Sequence, residues 1–138
     1  MSIEYKNSDF ILQIDDYSSK TLSAINKYDA FLDALTTADF GHVREAVRKA
    51  IHFFVTESFS STEQAAIHTF NKSEKLKNRY RDLPDYLNHV RIKDKRSYSV
   101  DLATGTGKSW VIYGVAQIML AEGLVDKVLV LCPSLTIE

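Results

Sequence analysis

Cysteine is almost missing from this chain. Cys132 stands alone, so no disulfide can close within it, and no CxxC or HxxxH pair offers a zinc site. A free cysteine is most often a small buried hydrophobe, and Cys132 is read that way, inside a strand. Long apolar runs are missing too. The longest, Val128–Cys132, is far short of the roughly 20 residues that a membrane-crossing helix needs. The segment Met1–Phe10 has no basic stretch followed by an apolar one, so no signal peptide is expected. These absences point to a cytoplasmic protein without a membrane partner. Proline is scarce, with Pro84 and Pro133 alone, and only five glycines occur in 138 residues. Each is therefore informative about where the backbone turns or stops.

Charge of one sign is not in excess overall, since the net charge is −1, but it is segregated. Residues 1–40 hold three basic and seven acidic side chains, residues 41–96 twelve and seven, and residues 97–138 two and four. The middle third is basic, most densely from Lys72 to Arg96. Such a region can face nucleic acid or simply form solvated helix faces.

Apolar spacing divides the chain into two regimes. From Thr21 to about Asn88 it has a helical period: Leu22, Ile25, Phe31/Leu32 and Leu35, then Val43, Ala46/Val47, Ala50/Ile51 and Phe54/Val55. Asp39 can cap the second of these helices. Ser61 followed by Gln64 predicts a capping box opening a third helix through about Lys72. Leu83-Pro84-Asp85 predicts a helix start with proline in the first turn. From Ser97 the pattern changes. Tyr98–Leu102 reads as a strand, Lys108–Ala121 as a helix ended by Gly123, and Lys127–Cys132 as a second strand stopped by Pro133. A strand, a glycine loop, a helix and a strand make a βαβ unit, which implies parallel strands in a covered sheet. The expected fold class is α/β, with a helical region over 1–96 and an incomplete βαβ unit over 97–138. Two strands do not finish such a sheet, so the chain is expected to be truncated after the second.

Residues 103–109 read Ala-Thr-Gly-Thr-Gly-Lys-Ser. Gly105 and Gly107 let the backbone curl so that successive N–H groups converge on an anion. The helix that follows would turn its positive end toward that anion. Lys108 is a flexible cation able to reach terminal phosphates, and Ser109 a hydroxyl able to hold Mg²⁺. The first glycine of the general Gly-x-x-x-x-Gly-Lys-[Ser/Thr] pattern is replaced by Leu102.

The run Asp-Leu-Ala-Thr-Gly-Thr-Gly-Lys-Ser at 101–109 resembles motif I of superfamily 2 helicases and translocases. More narrowly, it resembles the ATP-binding loop of type III restriction enzyme restriction (Res) subunits and related DEAD/DEAH-box proteins, where a hydrophobic residue often occupies the place of Leu102. The run Val128-Leu-Val-Leu-Cys-Pro-Ser-Leu-Thr-Ile-Glu138 is similar to the motif Ia strand and loop of that group. The resemblance is strong over 97–138 and weak over 1–96. It implies the start of a RecA-like P-loop NTPase domain, with ATP and Mg²⁺ as cofactors, DNA as a partner and a modification methyltransferase as a possible second subunit. Carried over, Thr104, Gly105, Thr106, Gly107, Lys108 and Ser109 would bind the nucleotide, with Ser109 in the Mg²⁺ shell. Pro133, Ser134 and Thr136 would touch the nucleic-acid backbone, or would form only a strand-ending turn.

The acidic motif that completes such a motor has no match: no Asp-Glu-x-His or Asp-Glu-Ala-Asp occurs, and Asp15-Asp16 precedes the loop. Nucleotide binding without efficient turnover is therefore expected of this chain, although the resemblance implies that the intact protein is an ATP hydrolase, with endonuclease activity as a further expectation. The helix near Phe40–Phe54 carries Arg44 and Arg48 one turn apart but no glutamine for adenine. The four histidines share no ligand spacing, and Tyr80 and Tyr98 could stack on bases or sit in a core. Two other readings remain. One is a P-loop kinase-like phosphotransferase, which needs a lid and an acceptor site. The other is a helical protein-interaction module over 1–96 fused to a motor.

Overall fold

A computed structural model describes residues 2–6, 9, 11–13, 23, 25–35, 41–103 and 105–131. Six helices are defined among them: α1 (Asp29–Leu35), α2 (Gly41–Val55), α3 (Thr62–Lys72), α4 (Glu74–Arg79), α5 (Leu83–Asn88) and α6 (Lys108–Ala121). The chain divides into two units. One comprises Met1–Ala24 and His52–Asp101, the other Ile25–Ile51 and Leu102–Glu138.

The first unit is assembled from capped short helices. Ser61 caps α3 by accepting a hydrogen bond from the Gln64 amide, and the Gln64 side chain reaches back to the Ser60 amide at 2.9 Å. The predicted reciprocal cap thus forms, shifted by one residue on its return arm. Asp82 caps α5 by accepting from the Asp85 amide, and Pro84 lies in the first turn, where its missing N–H costs nothing. Ser73 closes α3, which ends at Lys72 as the sequence predicts, and opens α4, a helix that the apolar pattern did not indicate. Ala66, Phe70, Leu76 and Tyr86 form the buried centre of these helices, with Phe70 stacked on Tyr86 at 5.4 Å.

A second cluster holds Phe53, Phe59 and Ala65, with Tyr98 packed edge-on against Phe53 and Phe54. Burial pushes the Tyr98 phenol up to about 12. The segment that includes Tyr98 is anchored by Arg96. Its guanidinium donates to the carbonyls of Phe53, Phe54, Thr56 (2.9 Å) and Phe59 (2.7 Å). Two of these are carbonyls at the end of α2 that have no partner inside the helix. A fixed fork of five N–H donors suits that task better than an ammonium would.

In the second unit, α1 lies against α2 and α6. Arg44 pairs with Asp33 at 2.5 Å and with Asp29 at 3.8 Å, and Arg48 bonds Asp29 and Asn26. The two arginines are thus engaged with the α1 region. At the other end of α6, Tyr28 and Lys27 donate to Glu122, and these bonds hold its carboxyl below the usual carboxylate range. The end of α6 is closed by a Schellman motif. Gly123, at φ +66°, donates to the Leu120 carbonyl and Leu124 to that of Met119.

The expected parallel sheet is corrected by the structure: no strand occurs among the described residues. Residues 98–102 and 127–131 carry no regular structure. Val128, Leu129, Val130 and Leu131 are all exposed, Leu131 by 81%. The reason is general. A helix satisfies its backbone within itself, whereas a strand exists only when a second segment accepts and donates across it. Apolar, β-branched composition makes 127–131 suitable for pairing, but no described segment pairs with it. The α/β class therefore does not hold, and the described chain is helical. Cys132 lies outside the described residues, as do Asp39 and Asp15-Asp16.

Candidate phosphate-binding loop

The loop belongs wholly to the second unit. Thr106 folds back on Ala103, whose carbonyl accepts from the Thr106 amide at 3.3 Å and from its hydroxyl at 2.5 Å. Gly105 has φ +77° and Gly107 φ +93°, a left-handed backbone that residues with a Cβ adopt only with strain. Space is open where a Cβ would stand on Gly105, so its conformation, not crowding, is what calls for glycine there. Gly107 is also the N-cap of α6, and no side chain caps that helix start. The Gly107 carbonyl accepts from Trp110 and Val111 and so begins the helical ladder.

A helix start without a side-chain cap is normally a weakness, because the first amides point out of the helix. At this position the same feature presents donors to an incoming anion, with the positive end of a 14-residue helix behind them. Lys108 and Ser109, in the first turn, are both exposed. The structure therefore brings Gly105, Thr106, Gly107, Lys108 and Ser109 together in one turn. Thr104, Pro133, Ser134 and Thr136 lie outside the described residues.

Two residues at or near this loop have roles that sequence spacing did not indicate. Gly114, two turns into α6, is buried against Val47 and Leu35; a Cβ there would stand 3.0 Å from Val47 Cγ2 and 3.2 Å from Leu35 Cδ1. Its missing side chain is what allows α6 to approach its neighbours. His42, in the first turn of α2, places Nε2 2.6 Å from the Thr106 carbonyl oxygen. The His42 contact puts the N-terminal end of α2 beside the loop at the start of α6, and Val47 meets Gly114 further along both helices. No signal in the sequence links His42 to a residue 64 positions away.

Among the described residues no group of three or more His, Cys, Asp or Glu could hold a metal ion. Tyr80 packs on Tyr86 and His89, so both tyrosines considered for base stacking have ring partners within the protein. No helix among the described residues is long and apolar enough to cross a membrane.

Comparison with known families decides the lineage. The family model described as type III restriction enzyme, res subunit, matches residues 44–138, well over half of the chain. The chain belongs to this family. Membership makes it a helicase-like component of a restriction system. The match begins at Arg44, more than fifty residues before the glycine loop, so the Res-like region takes in α2 to α5 as well as α6. No curated protein and no solved structure matches the chain.

Proposed function

We propose that residues 103–109 bind the phosphates of ATP, as the nucleotide site of an ATP-driven helicase or translocase acting on DNA within a restriction system. One observation carries this reading: two left-handed glycines lead into a helix start without a side-chain cap, with Lys108 and Ser109 exposed in its first turn. In that geometry Gly105 and Gly107 offer backbone amides, and Lys108 reaches the β- and γ-phosphates; Thr104 and Thr106 are proposed to bind the nucleotide with them, the Thr106 amide by exchanging its bond to the Ala103 carbonyl. Ser109 would hold Mg²⁺, which supplies neutralisation of the charge shared by those phosphates. Pro133, Ser134 and Thr136 are proposed to touch the DNA backbone, and a modification methyltransferase subunit is the proposed protein partner.

The test is a calorimetric titration of the chain with Mg·ATP. Lys108→Ala removes a charge-assisted contact to phosphate, so affinity should fall by about 10- to 100-fold. Equal affinity in the two proteins would refute the nucleotide reading. Efficient ATP hydrolysis by the 138-residue chain, lost in Lys108→Ala, would refute the expectation of binding without turnover. For DNA, Ser134→Ala combined with Thr136→Ala should weaken binding to duplexes of unrelated sequence to the same extent, because backbone contacts carry no base information.

A further inference from the structure

We infer that His42 is a positioning residue for the phosphate-binding loop, holding the Thr106–Gly107 peptide in the orientation that an anion requires. The inference rests on the nucleotide reading above and adds a residue to it that lies outside the glycine motif. A carbonyl oxygen can only accept, so the ring nitrogen 2.6 Å away must carry a proton, and His42 donates through Nε2. Both the neutral Nε2–H tautomer and the imidazolium can do this.

The consequence follows from peptide geometry. The described residues include no cis peptide, so the Thr106 carbonyl and the Gly107 N–H point in opposite directions within their shared plane. Fixing the carbonyl toward His42 therefore turns the Gly107 N–H away from α2. Gly107 needs such a restraint more than most residues would. Lacking a Cβ, it can rotate this plane at little steric cost, and no side chain at the cap holds it. A second restraint, from Thr106 to the Ala103 carbonyl, holds the preceding turn, while the bond from His42 acts on the 106–107 plane itself.

His42 is itself held at a fixed height. It sits in the first turn of α2, and about one and a half turns further on Val47 meets Gly114 of α6. The close approach at Gly114 sets the two helices in register, and the histidine reaches the loop from that register. A family-type loop can thus keep its glycines mobile enough to curl while a neighbouring helix selects one peptide orientation. Ordering the plane before the nucleotide arrives removes part of the entropy cost of binding.

The experiment compares the 138-residue chain with His42→Phe, which keeps a ring but loses the donor, His42→Gln, which keeps an N–H donor, and Lys108→Ala. Mg·ATP binding is measured by calorimetry, and the Gly107 amide is followed by ¹⁵N–¹H spectra without nucleotide. His42→Phe should weaken binding by about fivefold, the effect of one neutral hydrogen bond, with an unchanged melting temperature. His42→Gln should lie within about twofold of the wild type on the same scale. The Gly107 amide resonance should move in His42→Phe and return in His42→Gln, a pattern that a general packing role would not produce. Wild-type affinity in His42→Phe, or equal losses in the phenylalanine and glutamine variants, overturns the proposal. If neither the wild type nor Lys108→Ala binds Mg·ATP, the nucleotide reading fails by itself. The Gly107 resonance then still decides whether His42 orients the loop.

Discussion

Replacing Gly114 by alanine sets two effects of similar size against each other. Within a helix, alanine is favoured over glycine by about 1 kcal/mol. At this position, however, the new Cβ would stand 3.0 Å from Val47 Cγ2 and 3.2 Å from Leu35 Cδ1. Ordinary carbon contacts lie at roughly 3.5–4.0 Å, so each neighbour must give way. Leu35 can yield, because Cδ1 is the end of a flexible side chain. Val47 yields less readily: it is fully buried, and its branched side chain has one strongly preferred rotamer in a helix. Overpacking of this kind costs about 1–3 kcal/mol, so the net expectation is a loss of about 1 kcal/mol. For a chain of this size that lowers the melting temperature by roughly 3–5 °C.

The cause can be isolated by a double-mutant cycle measured by thermal and urea unfolding. Val47→Ala alone opens a cavity and should cost about 2 kcal/mol. Combined with Gly114→Ala, the added methyl occupies space that Val47 has vacated, so the pair should be no less stable than Val47→Ala. The coupling should be about 1–2 kcal/mol in favour of the double variant. A higher melting temperature for Gly114→Ala, or costs that simply add, would show that helix propensity wins and that Gly114 is not a close-approach residue.

The remaining expectations concern the first unit. Arg96→Met keeps the side-chain length but leaves four carbonyls without their donor, and should lower the urea-unfolding free energy by about 2–4 kcal/mol; a loss below about 0.5 kcal/mol, the usual range for surface changes, would deny Arg96 its anchoring role. Arg96→Lys should recover only part of that stability, because one ammonium cannot reproduce the fork. In a spectrophotometric titration, one tyrosine should ionise near 12, and Tyr98→Phe should remove that step. Since the folded state raises this phenol above its unfolded value near 10, its contribution to stability is full below that pH and is lost as pH rises toward about 12. Loss of the same stability on acidification would contradict the burial of Tyr98.

Several features were legible without the structure because they are local. The Ser61–Gln64 cap, the proline-bearing start of α5, the bounds of α6 and its Gly123 end each depend on residues within about five positions of one another. So does the glycine loop, whose chemistry is written into Gly105, Gly107, Lys108 and Ser109. The end of α3 at Lys72 was legible, but the start of α4 was not: it depends on the Ser73 hydroxyl capping a new turn at once. The roles of Arg44 and Arg48 were equally hidden: their spacing fits a solvated face, but Asp29 and Asp33 meet them from another helix.

The sequence by itself determined a glycine-rich loop of restriction-subunit type at the mouth of a helix, the loop proposed above to bind phosphates, because its character resides in backbone freedom and residue chemistry over seven positions. Only the tertiary structure decided what surrounds that loop. It denied the segments 98–102 and 127–131 the pairing that their composition favours, since a strand requires a partner as well as a propensity. It also set His42 beside Thr106 and Gly114 beside Val47, contacts between residues 64 or more positions apart that exist only once helices pack.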